Sequence, residues 1–390
     1  MKKLAIITTT RAEYGLLYPV IKKFREKEDG NFELELIVTG THLSKDYGMT
    51  ISEIEQNQIR IDEKIKVSVN SENPISISTN MAEVLVKFTN LFQEKKYDAI
   101  MILGDRYEML SIAIAAMNTM TPIFHLCGGD TTEGAIDECI RHSITKMSYL
   151  HFVTNETSRK RVIQLGEDPS RVFNVGSTSV DNILGLELYS KEDALKSIGL
   201  NSCNYALCTY HPVTLDNMSI ENQMIDFIEV IKKFPEIEFI VTKSNSDLGG
   251  SRINAILDEN EGKIENLHVY TSLGIKRYLS LMKSCEFVLG NSSSGIIEAP
   301  ILKVPTVNIG DRQKGRLQCD SIINCSAERN SISLAIRKAL TDKMKKICKT
   351  MINPYGYGNT SEQIMMTTLN LLNSDINLKK RFYDIEEEII

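Results

Sequence analysis

Residues 125–146, "HLCGGDTTEGAIDECIRHSITK", hold the densest run of side chains able to do acid–base chemistry in this 390-residue chain. His125, Asp130, Glu133, Asp137, Glu138, Arg141 and His142 fall within this one stretch, with Gly128 and Gly129 letting the backbone approach a ligand. Crowded carboxylates can hold one proton among themselves, which suits general acid and base work near neutral pH. A helix starting near Ala135 places Asp137, Arg141 and Ile144 on one face and Glu138 and His142 on the next. Such i to i+4 pairs also occur as plain solvated helix faces, so both readings stand.

A second cluster is "LGDRYE", where an apolar run ends in Asp105, Arg106 and Glu108. Asp105 reads as a helix cap or as a further site carboxylate, and Arg106 as an anion ligand. Glu108 reads as a helix-start charge. Anion-binding chemistry recurs elsewhere. Arg11 in "TTTRAEYG" sits at a strand-to-helix turn, and His211 in "TYHPVT" precedes a proline. Asn245 lies in the glycine-bearing loop "KSNSDLGGS". In "LGNSSSGIIEAP", Ser292, Ser293 and Gly295 stand between a strand and a helix, where backbone N–H groups and hydroxyls can cradle a diphosphate. Glu298, one turn on, can accept hydrogen bonds from ribose hydroxyls, and "NIGDRQKGR" adds Arg312, Lys314 and Arg316. The chain has neither a G-x-x-x-x-G-K-[ST] loop nor a strand-borne G-x-G-x-x-G turn. The parts instead suit a nucleoside diphosphate sugar, with phosphates on the second half of the chain and sugar against the carboxylates of the first.

The elements that must position these residues follow from periodicity. Short β-rich runs alternate with segments of helical period, which predicts an α/β fold with parallel sheets covered by helices on both faces. Strands are expected at 4–9, 34–40, 98–104, 122–128, 151–154 and 172–176, and a second series at 204–210, 238–243, 267–272, 287–292 and 304–310. The polar segment 188–202 sits at the change of series, and a linker is expected near 177–202. Two doubly wound halves leave a cleft, and ligands bind beyond the carboxyl ends of such strands, where the residues above lie. Residues 359–374 read as a terminal helix capped by its own Ser or Thr, and "KKRFYDIEEEII" as a charged, partly mobile tail.

Composition bounds the function. The net charge is −6 with both signs mixed throughout and no basic stripe, which argues against a nucleic-acid partner. No apolar run approaches the roughly 18 residues that span a bilayer, and the N-terminus reads as a first strand instead of a signal peptide. The eight cysteines are scattered without a C-x-x-C pair, so reduced thiols in a cytoplasmic protein are expected, with no metal site.

Taken in order and spacing, "TRAEYG", "GDRYE", "GG(D)xxxGxxDExxRHSITK", "YHPVT", "GNSSSGIIE" and "NIGDRQKGR" resemble the hydrolysing UDP-N-acetylglucosamine 2-epimerases of sialic acid biosynthesis, over Met1 to about Tyr357. The resemblance implies a GT-B-like fold of two Rossmann-like domains, over 1–180 and 181–365, with a terminal helix and tail over 366–390 crossing back to the first. It implies conversion of UDP-N-acetylglucosamine to N-acetylmannosamine and UDP by elimination to a 2-acetamidoglucal and hydration, with no cofactor or metal, in a homodimer or homotetramer. It makes Asp105, Asp130 and Asp137 the carboxylates at the sugar and places His211 by the diphosphate. Arg11, Arg106, Arg141, His142, Asn245, Ser292, Ser293, Glu298 and Arg312 then match nucleotide- or substrate-binding positions, with Leu273 at a backbone contact. Two departures concern the sugar: the family loop usually reads GGE where this chain has Asp130, and Cys127 replaces a usual Glu or His. Related enzymes act on 2,4-diacetamido-2,4,6-trideoxyglucose nucleotides for legionaminic acid. The non-hydrolysing epimerases' E-A-G-L-R-T and P-E-E-x-N-R patterns are absent. A GT-B glycosyltransferase, or a sugar-nucleotide-binding regulator without turnover, are the rival readings.

Overall fold

A computed structural model describes residues 1–69, 73–131, 136–212, 219–244 and 250–385. The chain forms two compact units, one of Met1–Asn182 with Tyr355–Ile390 and the other of Ile183–Pro354.

The first unit is built on a seven-stranded parallel sheet. Its strands are β1 (Lys2–Thr8), β2 (Phe32–Thr39), β3 (Glu63–Ile65), β4 (Ala99–Leu103), β5 (Ile123–Leu126), β6 (Leu150–Val153) and β7 (Val172–Asn174), in the order β3-β2-β1-β4-β5-β6-β7. Side chains alternate faces along a strand, so Leu4 and Ile6 enter one core with Phe24, Phe124 and Phe152. Ala5 and Ile7 enter the opposite core with Phe88, Phe92 and Ile112. Burial on both faces is why the central strand β4, AIMIL, reads as a continuous apolar run and not as an alternating pattern.

The second unit repeats the plan with β8 (Tyr205–Thr209), β9 (Glu238–Thr242), β10 (Leu267–Tyr270), β11 (Phe287–Gly290), β12 (Thr306–Ile309) and β13 (Ile322–Cys325), ordered β10-β9-β8-β11-β12-β13. Ala206 and Cys208 face one core, Tyr205 and Leu207 the other. The two edge strands β3 and β13 escape the sequence reading because their burial is partial and their sequences, EKI and IINC, carry polar residues.

The helix Thr360–Leu372 belongs to the first unit, and its Ile364, Met365 and Leu372 join the core of Leu4 and Ile6. The return begins at Tyr355, ahead of the expected residue 366. Contrary to expectation, its N-terminus is not capped by its own Ser or Thr. Asn359 there is left-handed and makes no cap, and the Asp181 carboxylate accepts from Thr360 N (3.1 Å), Ser361 N (2.6 Å) and Ser361 Oγ (2.5 Å). A carboxylate at a helix start both satisfies orphan N–H groups and meets the positive end of the dipole. None of the eight cysteines is paired with another in a disulfide. Among the described residues no helix is long and apolar enough to cross a membrane.

In each sheet the strand order reverses direction at one place, between β1 and β4 in the first and between β8 and β11 in the second. Connections leave such a pair toward opposite faces, which opens a crevice at the strands' carboxyl ends. Backbone packing at the second switch point is tight. Gly290 has φ 134°, and a Cβ there would fall 2.0 Å from the Thr209 carbonyl oxygen of the adjacent strand. Gly290→Ala is expected to cost at least about 2 kcal/mol in urea unfolding, because both backbone strain and overlap oppose it. Gly15→Ala, in a helix with open space around its Cβ position, should be neutral or stabilising by up to about 1 kcal/mol.

Candidate active site

At the first switch point β4 delivers Asp105 through Gly104, whose φ of 84° turns the chain sharply after the strand. The turn is held from the neighbouring strand: His125 on β5 is fully buried, and its Nε2 donates to the Gly104 carbonyl at 2.9 Å. Burial pushes the His125 pKa down to about 3, so the ring is neutral. A carbonyl can only accept, which assigns the proton to Nε2.

The helix Ile136–Met147 meets this turn with Arg141, whose side chain is 5% exposed. Arg141 donates from Nη2 to the Asp105 carboxylate, and from Nη1 to Glu138 Oε2 at 2.8 Å and the Asp130 carbonyl at 2.7 Å. Glu138 Oε1 also lies 3.1 Å from His142 Nε2. Asp130 is fixed from the other side, its Oδ1 accepting from Thr154 Oγ1 (2.9 Å) and Ser158 Oγ (2.6 Å). Gly129 before it has φ 77°, and a Cβ there would lie 2.3 Å from the Ser158 carbonyl, so only glycine lets this loop approach. Cys127 is left-handed too, at φ 65°, an unfavourable conformation for a side-chain-bearing residue that is typical of functional loops. Asp137 sits half-buried in the first turn of the same helix. Glu133 lies outside the described residues.

Arg11 and Arg106 stand just beyond the carboxyl ends of β1 and β4, the two strands of this switch point. Arg106 Nε and Nη2 reach the two oxygens of Glu108 at 3.2 and 3.4 Å. Glu108, expected to be only a helix-start charge, is 1% exposed and serves as the seat of Arg106. Arg11 pairs with Glu53 at 2.8 Å in an exposed position. Below them Glu13 closes a capping box at the start of Arg11–Arg25: its Oε2 accepts from Thr9 N (2.8 Å), Thr9 Oγ1 (2.7 Å) and Thr10 N (3.2 Å). Burial pushes the Glu13 pKa up to about 7 in spite of those bonds. The T-x-x-E spacing of "TRAE" is the sequence signal that could have found Glu13. Glu108 had no comparable signal, since its burial depends on tertiary packing.

At the second switch point the organiser is Asn291, fully buried and overlooked in the sequence. Its Oδ1 accepts from His211 N at 2.7 Å and its Nδ2 donates to the His211 carbonyl at 2.8 Å, so the side chain pairs with that backbone as a neighbouring strand would. The Asn291 carbonyl accepts from Arg312 Nη1 (3.1 Å) and Gln313 Nε2 (2.8 Å). His211 Nδ1 lies 3.2 Å from Ser244 Oγ. Ser292 is the N-cap of Ser293–Ile301, and its Oγ accepts from Ser294 N (3.4 Å) and Ser294 Oγ (3.1 Å). One residue thereby joins His211, the serine helix start and Arg312. Leu273 is buried at the start of Gly274–Ser284, its carbonyl accepting from Arg277 Nε at 2.9 Å. Asn245 lies outside the described residues.

With both clusters in view, residues 25–369 match the UDP-N-acetylglucosamine 2-epimerase family. The chain belongs to that family. A Campylobacter jejuni protein named GDP/UDP-N,N'-diacetylbacillosamine 2-epimerase (hydrolyzing) is 39% identical over 98% of this chain and 99% of its own length. An Escherichia coli protein named polysialic acid biosynthesis protein P7 is 38% identical over 99% of this chain and 98% of its own. The fold is that of the Neisseria meningitidis UDP-GlcNAc 2-epimerase solved with UDP-GlcNAc bound, with a TM-score of 0.80 at 19% identity over 95% of this chain and 100% of that one. The two Rossmann-like units are therefore those of GT-B-like epimerases, and the chain is an enzyme of this family.

Glu298 is half-buried on the serine-started helix, and burial pushes its pKa up to about 7 against the pull of Arg316. A carboxyl whose folded pKa is raised stabilises the fold below its unfolded pKa, and that stability is lost as pH rises through the folded value. Between pH 5 and 8 this epimerase is expected to lose about 1–3 kcal/mol relative to Glu298→Gln, read by urea unfolding at the two pH values. A difference that does not change with pH would mean that the carboxyl is solvated.

Proposed function

We propose that this chain is a hydrolysing 2-epimerase that converts UDP-N-acetylglucosamine and water to N-acetylmannosamine and UDP. The observation that carries the reading is the Asp105–Arg141–Glu138 cluster at one switch point. A base that takes a proton loses its charge, and a buried guanidinium left alone is strongly destabilising. Glu138 and the Asp130 carbonyl keep Arg141 compensated while Asp105 changes its protonation state.

In this reading a carboxylate among Asp105, Asp130 and Asp137 takes the C2 proton as the C1–O bond to the diphosphate breaks, giving UDP and 2-acetamidoglucal. Water then adds its hydroxyl to C1, and a proton is delivered to C2 on the opposite face, which inverts that centre. The steps balance without oxidant or reductant. The second unit takes the diphosphate, with the serine helix start at Ser292 and Ser293, Arg312, and His211 beside the leaving oxygen. Glu298 receives the ribose, Leu273 and Asn245 contact the nucleotide, and Arg11, Arg106 and His142 add contacts from the first unit. The relative named for polysialic acid biosynthesis supports a place in nonulosonate synthesis, and the reading takes the chain as a cytoplasmic homo-oligomer.

A second reading is favoured by the relatives named for diacetylbacillosamine, at 39% and 33% identity. In it the substrate is a UDP- or GDP-linked 2,4-diacetamido-2,4,6-trideoxyglucose, and Asp130 with Cys127 shapes the loop to the extra acetamido group.

Purified protein given each nucleotide sugar alone in D2O is expected to release nucleoside diphosphate and free sugar deuterated at C2. Product without C2 deuterium would end the elimination reading, release only on adding an acceptor would make the chain a transferase, and the preferred sugar decides between the two substrates. Asp105→Asn should lower kcat at least about 100-fold with UDP affinity nearly unchanged, since a general base contributes on that scale. Equal loss of UDP affinity in calorimetry would make Asp105 a binding residue.

A further inference from the structure

The sequence marks the end of the chain as a mobile tail, and the structure does something else with it. Lys380 is four-fifths buried and points into the first unit. Its Nζ donates to the carbonyls of Lys146 (2.9 Å) and Ser148 (2.6 Å) and lies 2.5 Å from Glu167 Oε2. The two carbonyls stand at and just past the C-terminus of Ile136–Met147, where a helix has no acceptors' partners of its own. An ammonium there satisfies them and meets the negative end of the helix dipole.

Glu167 is 2% exposed and accepts from three directions, from Lys380, from Lys146 at 2.8 Å and from His151 Nε2 at 3.1 Å. His151 is fully buried on β6 and sits in register with His125 on β5, the residue that holds the Asp105 turn. The tail is seated beyond Lys380 as well. The Phe382 ring lies where a Cβ on Gly166 would be, 2.3 Å away, and under Lys146 Nζ at 4.7 Å, and Tyr383 N donates to the Gly166 carbonyl at 3.0 Å. The preceding turns of the same helix carry Glu138, Arg141 and His142.

We propose that Lys380 is a positioning residue for the reaction: by capping the helix Ile136–Met147 and pairing with Glu167, the tail sets where that helix presents Arg141 to Asp105. A buried cation held by two carbonyls and a carboxylate needs a defined geometry, which a solvated tail lysine does not. Small errors in placing a site lower turnover far more than binding. The turnover arm below rests on the epimerase reading, and the exchange arm does not.

The experiment compares the full chain with Lys380→Met, Lys380→Arg, Phe382→Ala and Lys379→Met, the last at an exposed neighbour. In Lys380→Met, kcat should fall about tenfold with KM and UDP affinity within about twofold, because the displaced groups act in the chemical step. Amide hydrogen exchange over 136–147 should speed up at least about tenfold, with peptides of β8 and β9 unchanged. Lys380→Arg should recover part of both effects, and Phe382→Ala, which leaves no buried charge unpaired, should move both in the same direction by less. Lys379→Met should match the unaltered protein. Unchanged exchange over 136–147 in both Lys380→Met and Phe382→Ala overturns the proposal, as does a kcat loss that Lys379→Met reproduces. If the unaltered protein turns over no nucleotide sugar, the epimerase reading fails, and exchange alone still decides whether Lys380 holds the helix.

Discussion

A guanidinium buried to the extent of Arg141 must be met by negative charge, and that requirement organises the first unit's site. Its partners come from three separate pieces of chain: Asp105 after β4, Glu138 on its own helix, and the Asp130 carbonyl after β5. None of these groups could keep its place alone. The Asp105 turn depends on His125, the Asp130 loop depends on a glycine that clears the Ser158 carbonyl and on two hydroxyls, and the helix is capped at its distal end by Lys380. The charge network and the backbone that carries it are one structure. A neutral residue at 141 would leave Asp105 and Glu138 facing each other without a cation between them.

The second unit solves a similar problem without a buried charge. Asn291 uses an amide to pair with the His211 backbone and a carbonyl to collect Arg312 and Gln313, so one neutral residue orients all three. Gly290 makes this possible by letting β11 press against the end of β8. The contrast suits what each unit binds in the proposed reaction. Proton transfer at carbon needs carboxylates whose protonation can change in a partly dry setting, whereas a diphosphate needs fixed donors and cations.

Much of this was legible in the sequence because a parallel sheet buried on both faces leaves polar residues only at strand ends. The interior strands and the cluster at 125–146 announce themselves by that rule. What escaped has a common cause. The strands β3 and β13 are short edges with polar residues, and Glu108, Asn291 and Asp181 draw their roles from partners brought close by tertiary packing, as Asp181 is to Ser361. Local periodicity carries no information about such pairings. Lys380 is the sharpest case, since one lysine in a charged tail is indistinguishable by type from its exposed neighbour Lys379.

The same contrast bears on the sugar. Asp130 is one of the two residues where the chain departs from the pattern it resembles, and its Oδ1 is occupied by Thr154 and Ser158, while its backbone carbonyl serves Arg141. A side chain longer by one methylene could not keep the carboxylate on those two hydroxyls without moving the carbonyl, and with it Arg141. The shorter acid therefore belongs to the framework of this loop, next to the left-handed Cys127 and the close-packed Gly129. In the proposed enzyme a change of sugar preference through this loop would act by shifting Arg141 and Asp105 together, so substrate choice and the chemical step are coupled through one guanidinium.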